Sequence, residues 1–219
     1  LNNLSAGLHE VNAYYPGDEN YTNKSSSDKF IIDQATPTII INATPAKVGD
    51  NATINITVSG NATGNVTIYV DGQRTIVNHT VSLNVTDLAS GNHNVVVFYK
   101  GDQNYTSNIN STSLRIFKDS SDLIVVADPE SVVVGKNTTI TVTSVNVTSG
   151  NVIIEVNGIN YTVALNNGVA KLNVTLPAGD YTAKAYFLGD DKYNASTNTS
   201  NVFHVINKTV AWVNITADK

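Results

Sequence analysis

Cysteine is missing from the 219-residue chain, and that one absence removes disulfide stapling, thiolate metal centres and cysteine nucleophiles together. Whatever stability the chain has must come from packing and backbone hydrogen bonds. Methionine is missing too and the sequence opens at Leu1, so it is expected to be a piece of a longer protein. Charged residues are scarce at 14%, with 13 Lys plus Arg against 18 Asp plus Glu and a net charge of −5. No basic stripe offers the footprint that a phosphate backbone requires, so nucleic acid is not an expected partner. Apolar runs are strand-sized, as in Leu123 to Ala127, and none approaches the roughly 18 residues of a membrane span. No secretory leader pattern opens the chain.

Reaction motifs are lacking as well. There is no GxSxG, HExxH, P-loop or GxGxxG, and carboxylates such as Asp190-Asp191 or Asp119 and Asp122 give no pair for acid/base work. Among the histidines, His9 and His93 hold equivalent places, His79 adjoins a strand start and His204 sits in a last strand. None has a second ligand at metal spacing, so they are expected to be ordinary surface or edge residues. The chain is therefore expected to be no enzyme and to have no cofactor or metal site.

What is present is a repeat, and repetition fixes architecture before any local detail. GLHEVNAYYPGDENYTN (Gly7 to Asn23), GNHNVVVFYKGDQNYTS (Gly91 to Ser107) and GDYTAKAYFLGDDKYNA (Gly179 to Ala195) align at spacings of 84 and 88 residues. Upstream, GDNATINITV (Gly49 to Val58) precedes GKNTTITVTS (Gly135 to Ser144) by 86, and GNVTIYVDG (Gly64 to Gly72) precedes GNVIIEVNG (Gly150 to Gly158) by 86. The chain is thus divided into the end of one repeat over 1–34, full repeats over 35–118 and 119–207, and the first strand of another over 208–219.

Inside a repeat the apolar period is two. Ala52, Ile54, Ile56 and Val58 alternate with Thr53, Asn55 and Thr57, and Val66, Ile68 and Val70 with Thr67 and Tyr69. In the second repeat Ala170, Leu172, Val174 and Leu176 alternate with Lys171, Asn173 and Thr175. Such alternation makes half-buried strands with one wet face. Asp71-Gly72 and Asn157-Gly158 supply the positive φ angles of two-residue hairpins. Gly60, Gly91, Gly150, Gly168 and Gly179 are expected to close other strands. Short strands at this turn spacing predict an all-β fold of tandem β-sandwiches, each adding roughly 25 Å of reach when stacked. The strands over 1–34 and 208–219 lack sandwich partners of their own and are expected to fray, or to pair with each other or a neighbouring molecule.

The GDxxY element recurs as Gly17, Asp18 and Tyr21, as Gly101, Asp102 and Tyr105, and as Gly189, Asp190 and Tyr193. A calcium ligand or sugar-stacking site is one reading. The other is a structural turn in which Gly permits the bend, Asp accepts backbone N–H bonds, and Tyr packs its ring with its hydroxyl on the backbone. A Ca²⁺ site takes about 6–8 oxygens, and the scattered carboxylates favour the turn. Asn-x-Ser/Thr triplets are dense, with Asn55, Asn65, Asn84, Asn137 and Asn173 as candidate glycosylation sites. Asn42, Asn51, Asn61, Asn78, Asn104, Asn146, Asn160, Asn194, Asn198, Asn207 and Asn214 lie in the same triplet. Asn is disfavoured in strands where Thr alone suffices, so the reading as sugar acceptors stands beside that of a plain polar face. Trp212, Tyr69 and Tyr161 are candidates for a sugar platform, although a lone Trp is more simply core. A Lys-to-Asn isopeptide bond needs a buried Lys, and Lys171 and Lys184 fall on the outward register.

The motifs "aGxHxVxAxYxGDxNY" and "GxVTxYVDG" resemble the bacterial Ig-like repeats of group 3. The residues carrying the likeness are Gly7-Leu8-His9, Gly91-Asn92-His93, Gly64 to Gly72 and the three GDxxY elements. Tyr181 departs from it by replacing the His. Asp191-Lys192 departs as well, replacing the residues before the last Tyr. The two changes argue against a shared chemical role for His9 and His93. The Asn- and Thr-rich, cysteine-free version is similar to adhesin-like surface proteins of methanogenic archaea. The resemblance implies immunoglobulin-like sandwiches in an extracellular cell-surface protein; the dense triplets add the expectation of a glycoprotein, and repetition without localised chemistry that of stalk or adhesive repeats attaching to other cells or surfaces. The expected partners are neighbouring repeats and the glycans or proteins of other cells. The alternatives are a glycan- or peptide-binding module proper, or an accessory module of a secreted enzyme.

Overall fold

A computed structural model describes residues 3–77, 80–209, 211 and 213–215, and every regular element among them is a β-strand. The chain forms two compact units, Leu1–Phe117 and Lys118–Lys219.

The first unit opens with a hairpin of β1 (Gly7–Tyr15) and β2 (Lys24–Ile32). It continues through β3 (Ile39–Thr44), β4 (Ala46–Lys47), β5 (Ala52–Val58), β6 (Val66–Val70), β7 (Gln73–Val77), β8 (Thr80–Val85), β9 (Gly91–Tyr99) and β10 (Asn108–Phe117). Strands β3, β5 and β8 make one sheet and β4-β10-β9-β6-β7 the facing one. The alternation read from sequence is the burial pattern observed: Ile54, Ile56, Val66, Ile68, Val95 and Val97 are buried between the sheets with Tyr99 and Leu114. Each such side chain contributes about 1.5–3 kcal/mol on leaving water.

The second unit runs through β11 (Leu123–Asp128), β12 (Ser131–Val133), β13 (Thr138–Ser144), β14 (Ser149–Val156), β15 (Ile159–Asn166), β16 (Val169–Val174), β17 (Gly179–Tyr181), β18 (Ala183–Phe187), β19 (Ser196–Thr199) and β20 (Phe203–Ile206). Here β11-β13-β16-β15-β14-β18-β19 form one continuous seven-stranded sheet, and β12-β20-β17 a second. The continuity comes from Asn167-Gly168, which turns β15 into β16 with φ of 50° and 80°, as Asp71-Gly72 and Asn157-Gly158 turn their own hairpins. Of the glycines expected to close strands, Gly91 and Gly179 instead open β9 and β17, and Gly150 lies within β14.

In both units the first strand of the sandwich breaks at a proline. β3 pairs with β5, and after Pro45 the chain crosses to run parallel beside β10 as β4. Likewise β11 pairs with β13, and after Pro129 β12 runs parallel beside β20. Proline has no N–H to give the ladder, so the change of sheet falls there. The open side of the first strand is closed by amides from β10 and β19: Asn110 Nδ2 donates to Ile39 O at 2.8 Å and Asn198 Nδ2 to Leu123 O at 2.6 Å. Such bonds occupy an edge that would otherwise invite another chain.

The hairpin β1–β2 reproduces β9–β10 residue for residue, pairing Gly7 with Ile32 and Tyr15 with Lys24 as Gly91 pairs with Ile116 and Tyr99 with Asn108. Its strands pair with each other, and no sandwich covers them, so Val11 and Tyr15 are exposed where Val95 and Tyr99 are buried. The strand expected over 208–219 does not form among the described residues of that stretch.

Candidate functional site

The three GDxxY segments share one local geometry. The amide N of Asp18, Asp102 and Asp190 donates to the carbonyl of Tyr21, Tyr105 and Tyr193, at 2.9, 3.0 and 3.0 Å. Each Asp Oδ1 in turn accepts the N–H groups two and three residues on, at 2.7–2.9 Å. Gly101 has a φ of 89°, and a Cβ there would stand 3.0 Å from Tyr105 O and Ser107 N, so only Gly fits.

What the carboxylate does with its other oxygen differs between repeats. Asp102 Oδ2 accepts from Thr63 N (2.7 Å), Thr63 Oγ1 (3.1 Å) and the Tyr99 hydroxyl (2.8 Å). The Thr63 amide bond comes first among the causes that hold this carboxyl far below the usual carboxylate range. Burial, with the Asp102 bond second, pushes the Tyr99 phenol upward. Both oxygens are thus taken by N–H and O–H donors, which completes a turn and leaves no lone pair aimed at a cation. In the hairpin, Tyr15 donates to Asp18 Oδ2 at 2.6 Å, lowering Asp18 and raising Tyr15. In the second repeat Phe187 stands where Tyr99 stands, and among the described residues the Asp190 carboxylate has its two turn bonds alone.

The tyrosine ring packs against a core in two copies and not in the third. Tyr105 and Tyr193 lie against their cores, whereas Tyr21 is 70% exposed because the hairpin has no sandwich beneath it. The Tyr105 hydroxyl accepts from Asn61 N at 3.2 Å. No such bond forms at Tyr21 or Tyr193 among the described residues. A side chain on Gly60 would begin 2.1 Å from the Tyr105 hydroxyl.

The turn also grips the segment that leads into its own repeat. Ala35 N donates to Asn104 O and Thr106 N to Ala35 O, each at 2.9 Å, a parallel bridge to Tyr105. Asp119 repeats it, donating to Lys192 O (2.8 Å) and accepting from Asn194 N (2.9 Å). One residue earlier, Gln34 Nε2 donates to Asp102 O at 2.7 Å, and Lys118 Nζ donates to Asp190 O. In the first unit the hairpin joins in: Ala6 N donates to Asn104 Oδ1 (2.9 Å) and Gln103 Nε2 to Ser5 Oγ (3.1 Å).

His93 departs from the expectation of an ordinary surface or edge residue. His93 is buried, with Nδ1 at 2.5 Å from Asp71 Oδ2 and Nε2 at 2.8 Å from Ala89 O. Both nitrogens face acceptors, and the ring that satisfies both is the imidazolium. The Asp71 bond leads in raising His93, and the His93 bond leads in lowering Asp71. Asp71 lies 22 residues upstream at the β6–β7 turn, a proximity that sheet order creates and sequence spacing hides. The replacement of His by Tyr turns out to preserve a shared role. His9 Nε2 bonds Ser5 O at 2.7 Å, and the Tyr181 hydroxyl donates to Pro177 O at 3.1 Å. All three side chains tie the start of their strand to the carbonyl four residues back, the corner bond of immunoglobulin-like sandwiches.

The family model of the bacterial Ig-like domain (group 3) matches residues 39–116 and again 125–206, more than half of the chain. The chain belongs to that family. No curated protein matches it. Among solved structures, the fibronectin(III)-like modules of Clostridium thermocellum CbhA are 14% identical, covering 82% of this chain and 100% of theirs at a TM-score of 0.37. A 1.5-MDa bacterial ice-binding adhesin is 12% identical, covering 91% and 74% at 0.36. The titin domains z1z2, solved with telethonin, are 14% identical, covering 81% and 100% at 0.47.

On these two group 3 domains the remaining candidates fall as follows. Asn55, Asn65, Asn84, Asn137 and Asn173 are all exposed, as are Lys171 and Lys184. Tyr161 leans on the second core and Tyr69 is half-buried, so neither stands free as a platform. His204 is exposed and bonds Asp180 at 2.7 Å. Asn78, His79 and Trp212 lie outside the described residues. Among the described residues, no group of three His, Asp or Glu side chains is placed to hold a metal, and no helix is long and apolar enough to cross a membrane. Sequence reading missed one feature of the outward sheet faces. In the first domain, register lines up Ile109, Phe98, Thr67 and Ile76 across four strands. The second domain has Thr197, Tyr186, Ile153 and Thr162 in that row.

Proposed function

We propose that this chain is a non-catalytic stretch of stalk from a secreted, cell-surface, adhesin-like protein, with repeats bounded at 35–118 and 119–207. The observation that carries the reading is the doubled grip on the entering segment, where Gln34-Ala35 and Lys118-Asp119 make the same bonds to the GDxxY turns that follow them. A segment anchored to the domain it enters by backbone bonds transmits load into that domain, which suits domains whose task is to carry something else outward. The Asn- and Thr-rich, cysteine-free composition supports placing the chain among adhesin-like surface proteins of methanogenic archaea. Stretched between its termini, the full chain should give two separate unfolding events, each releasing the length of one repeat. The segment 118–121 should resist protease until the second repeat opens. A single event, or cleavage of that segment in the native protein, would overturn the reading.

One observation favours a second reading, a binding module for glycans or peptides. The row Ile109, Phe98 and Ile76 exposes apolar surface that the second domain shows the fold does not need. Retention of the full chain on a glycan or peptide array, lost on Phe98→Ser, would establish it in place of a stalk that binds nothing specifically.

A further inference from the structure

In the second domain two Asn-x-Thr triplets meet antiparallel. Asn137-Thr138-Thr139 at the entry to β13 faces Asn173-Val174-Thr175 at the end of β16, with Thr139 opposite Asn173. The Thr139 hydroxyl donates to Asn173 Oδ1 at 2.8 Å, and the Thr175 hydroxyl donates to Asn137 Oδ1 at 2.5 Å. Each triplet's hydroxyl holds the other triplet's carbonyl oxygen. In the first domain Thr53, opposite Asn84, donates to its Oδ1 at 3.1 Å. The three amides are held by their oxygens at the wet face, and among the described residues no bond from their Nδ2 atoms is seen. Asn110 and Asn198 lie in the same kind of triplet and are exposed too, but they are held the opposite way, by their nitrogens, against the first strand of the sandwich.

We propose that Asn84, Asn137 and Asn173 are sites of N-linked glycosylation and that Asn110 and Asn198 are not. The proposal rests on the extracellular placement argued above. The donor class is a sugar carried on a lipid diphosphate. Nδ2 attacks the anomeric carbon and the C1–N bond forms. The C1–O bond breaks with its electrons leaving on the diphosphate, and one Nδ2 proton passes to a base of the transferase. The product keeps Oδ1, so the threonine bonds at Asn84, Asn137 and Asn173 survive, and the sugar stands over the wet face of the sheet. At Asn110 and Asn198 the nitrogen that would carry the sugar is already aimed at Ile39 O or Leu123 O, so a sugar there would crowd the contact with the first strand of the sandwich. The triplet hydroxyls of the second domain are engaged crosswise once the sheet closes, so transfer precedes closure there, and folding then selects which modified chains persist.

The test is to secrete the full chain from a host with an N-glycosylation pathway, isolate the folded monomer, and map sugar-bearing peptides alongside the intact mass. The expected result is one sugar chain each at Asn84, Asn137 and Asn173, with Asn110 and Asn198 bare. The bare polypeptide mass, or sugar at Asn110 or Asn198 in folded protein, overturns the proposal. Unmodified protein from a host lacking the pathway gives a second reading. Asn198→Gln should lower the melting temperature and Asn84→Gln should leave it nearly unchanged, and equal effects would remove the basis for the distinction. Failure here leaves the two unfolding events of the stalk reading untouched, so the two ideas fail separately.

Discussion

The two full repeats build the same turn and anchor it differently. In the first, Asp102 gathers Asn104 and Tyr105 on one oxygen and Thr63 and Tyr99 on the other, while Gly64 lets the backbone at Gly101 come close enough that a Cβ would stand 2.3 Å from its carbonyl. In the second, Phe187 replaces the phenol, and a Cβ at the equivalent Gly150 would find nothing nearer than Phe187 at 3.8 Å. The turn itself is written locally in Gly, Asp and Tyr. Its attachment to the sandwich is written some forty residues upstream, and only one repeat has it. The entering segment is gripped in both, so the grip depends on the turn and not on the attachment.

The sharpest way to break the contrast is Gly64→Ala. Its methyl must displace backbone, and we expect a loss of roughly 2–3 kcal/mol, read by denaturant unfolding. Gly150→Ala should cost only about 1–2 kcal/mol, from its φ of 115°. Next comes Tyr99→Phe, which removes the bonds to Asp102 and to Gly64 N. It should cost about 1–2 kcal/mol and raise hydrogen exchange at Thr63 and Tyr105 while leaving Tyr193 unchanged.

The His93–Asp71 pair should give the first repeat a pH dependence at a position where the second repeat has Tyr181 and Asn157 and no such pair. His93 is raised above its ordinary 6.5, so its contribution is complete below that value and lost as pH rises through the raised one. Asp71 is lowered below 3.8, so its contribution is complete above that value and lost as pH falls through the lowered one. The first repeat should therefore be most stable between these values and weaken by about 1 kcal/mol on the alkaline side, one partner being half exposed. His93→Tyr should flatten that limb in melts of the full chain across pH. The smallest effect is a gain: Phe187→Tyr supplies Asp190 with the missing donor and should stabilise the second repeat by about 0.5 kcal/mol.

The period-two strands, the repeat and the Asp-Gly and Asn-Gly hairpins were legible because each is set by neighbours within a few residues. Ile54 and Ile68 face inward wherever their sheet lies, and Gly101 bends for reasons contained in its own loop. Contacts set by sheet order were not legible. Nothing near His93 in the chain announces Asp71, and nothing near Asp102 announces Thr63. Likewise, Thr139 and Asn173 look like members of two unrelated triplets until β13 and β16 pair. His93 was misjudged for the same reason, since burial and partners at a strand start depend on which turn folds over it.

The parallel placement of β12 beside β20, and of β4 beside β10, decides how a repeat yields. A tug on the two ends of a repeat drags these neighbours past one another lengthwise, so their bonds must rupture together. Peeling them apart from one end would let the bonds fail singly. A short parallel contact at the point where force enters therefore makes each sandwich a mechanical fuse with a high threshold, without enlarging its core.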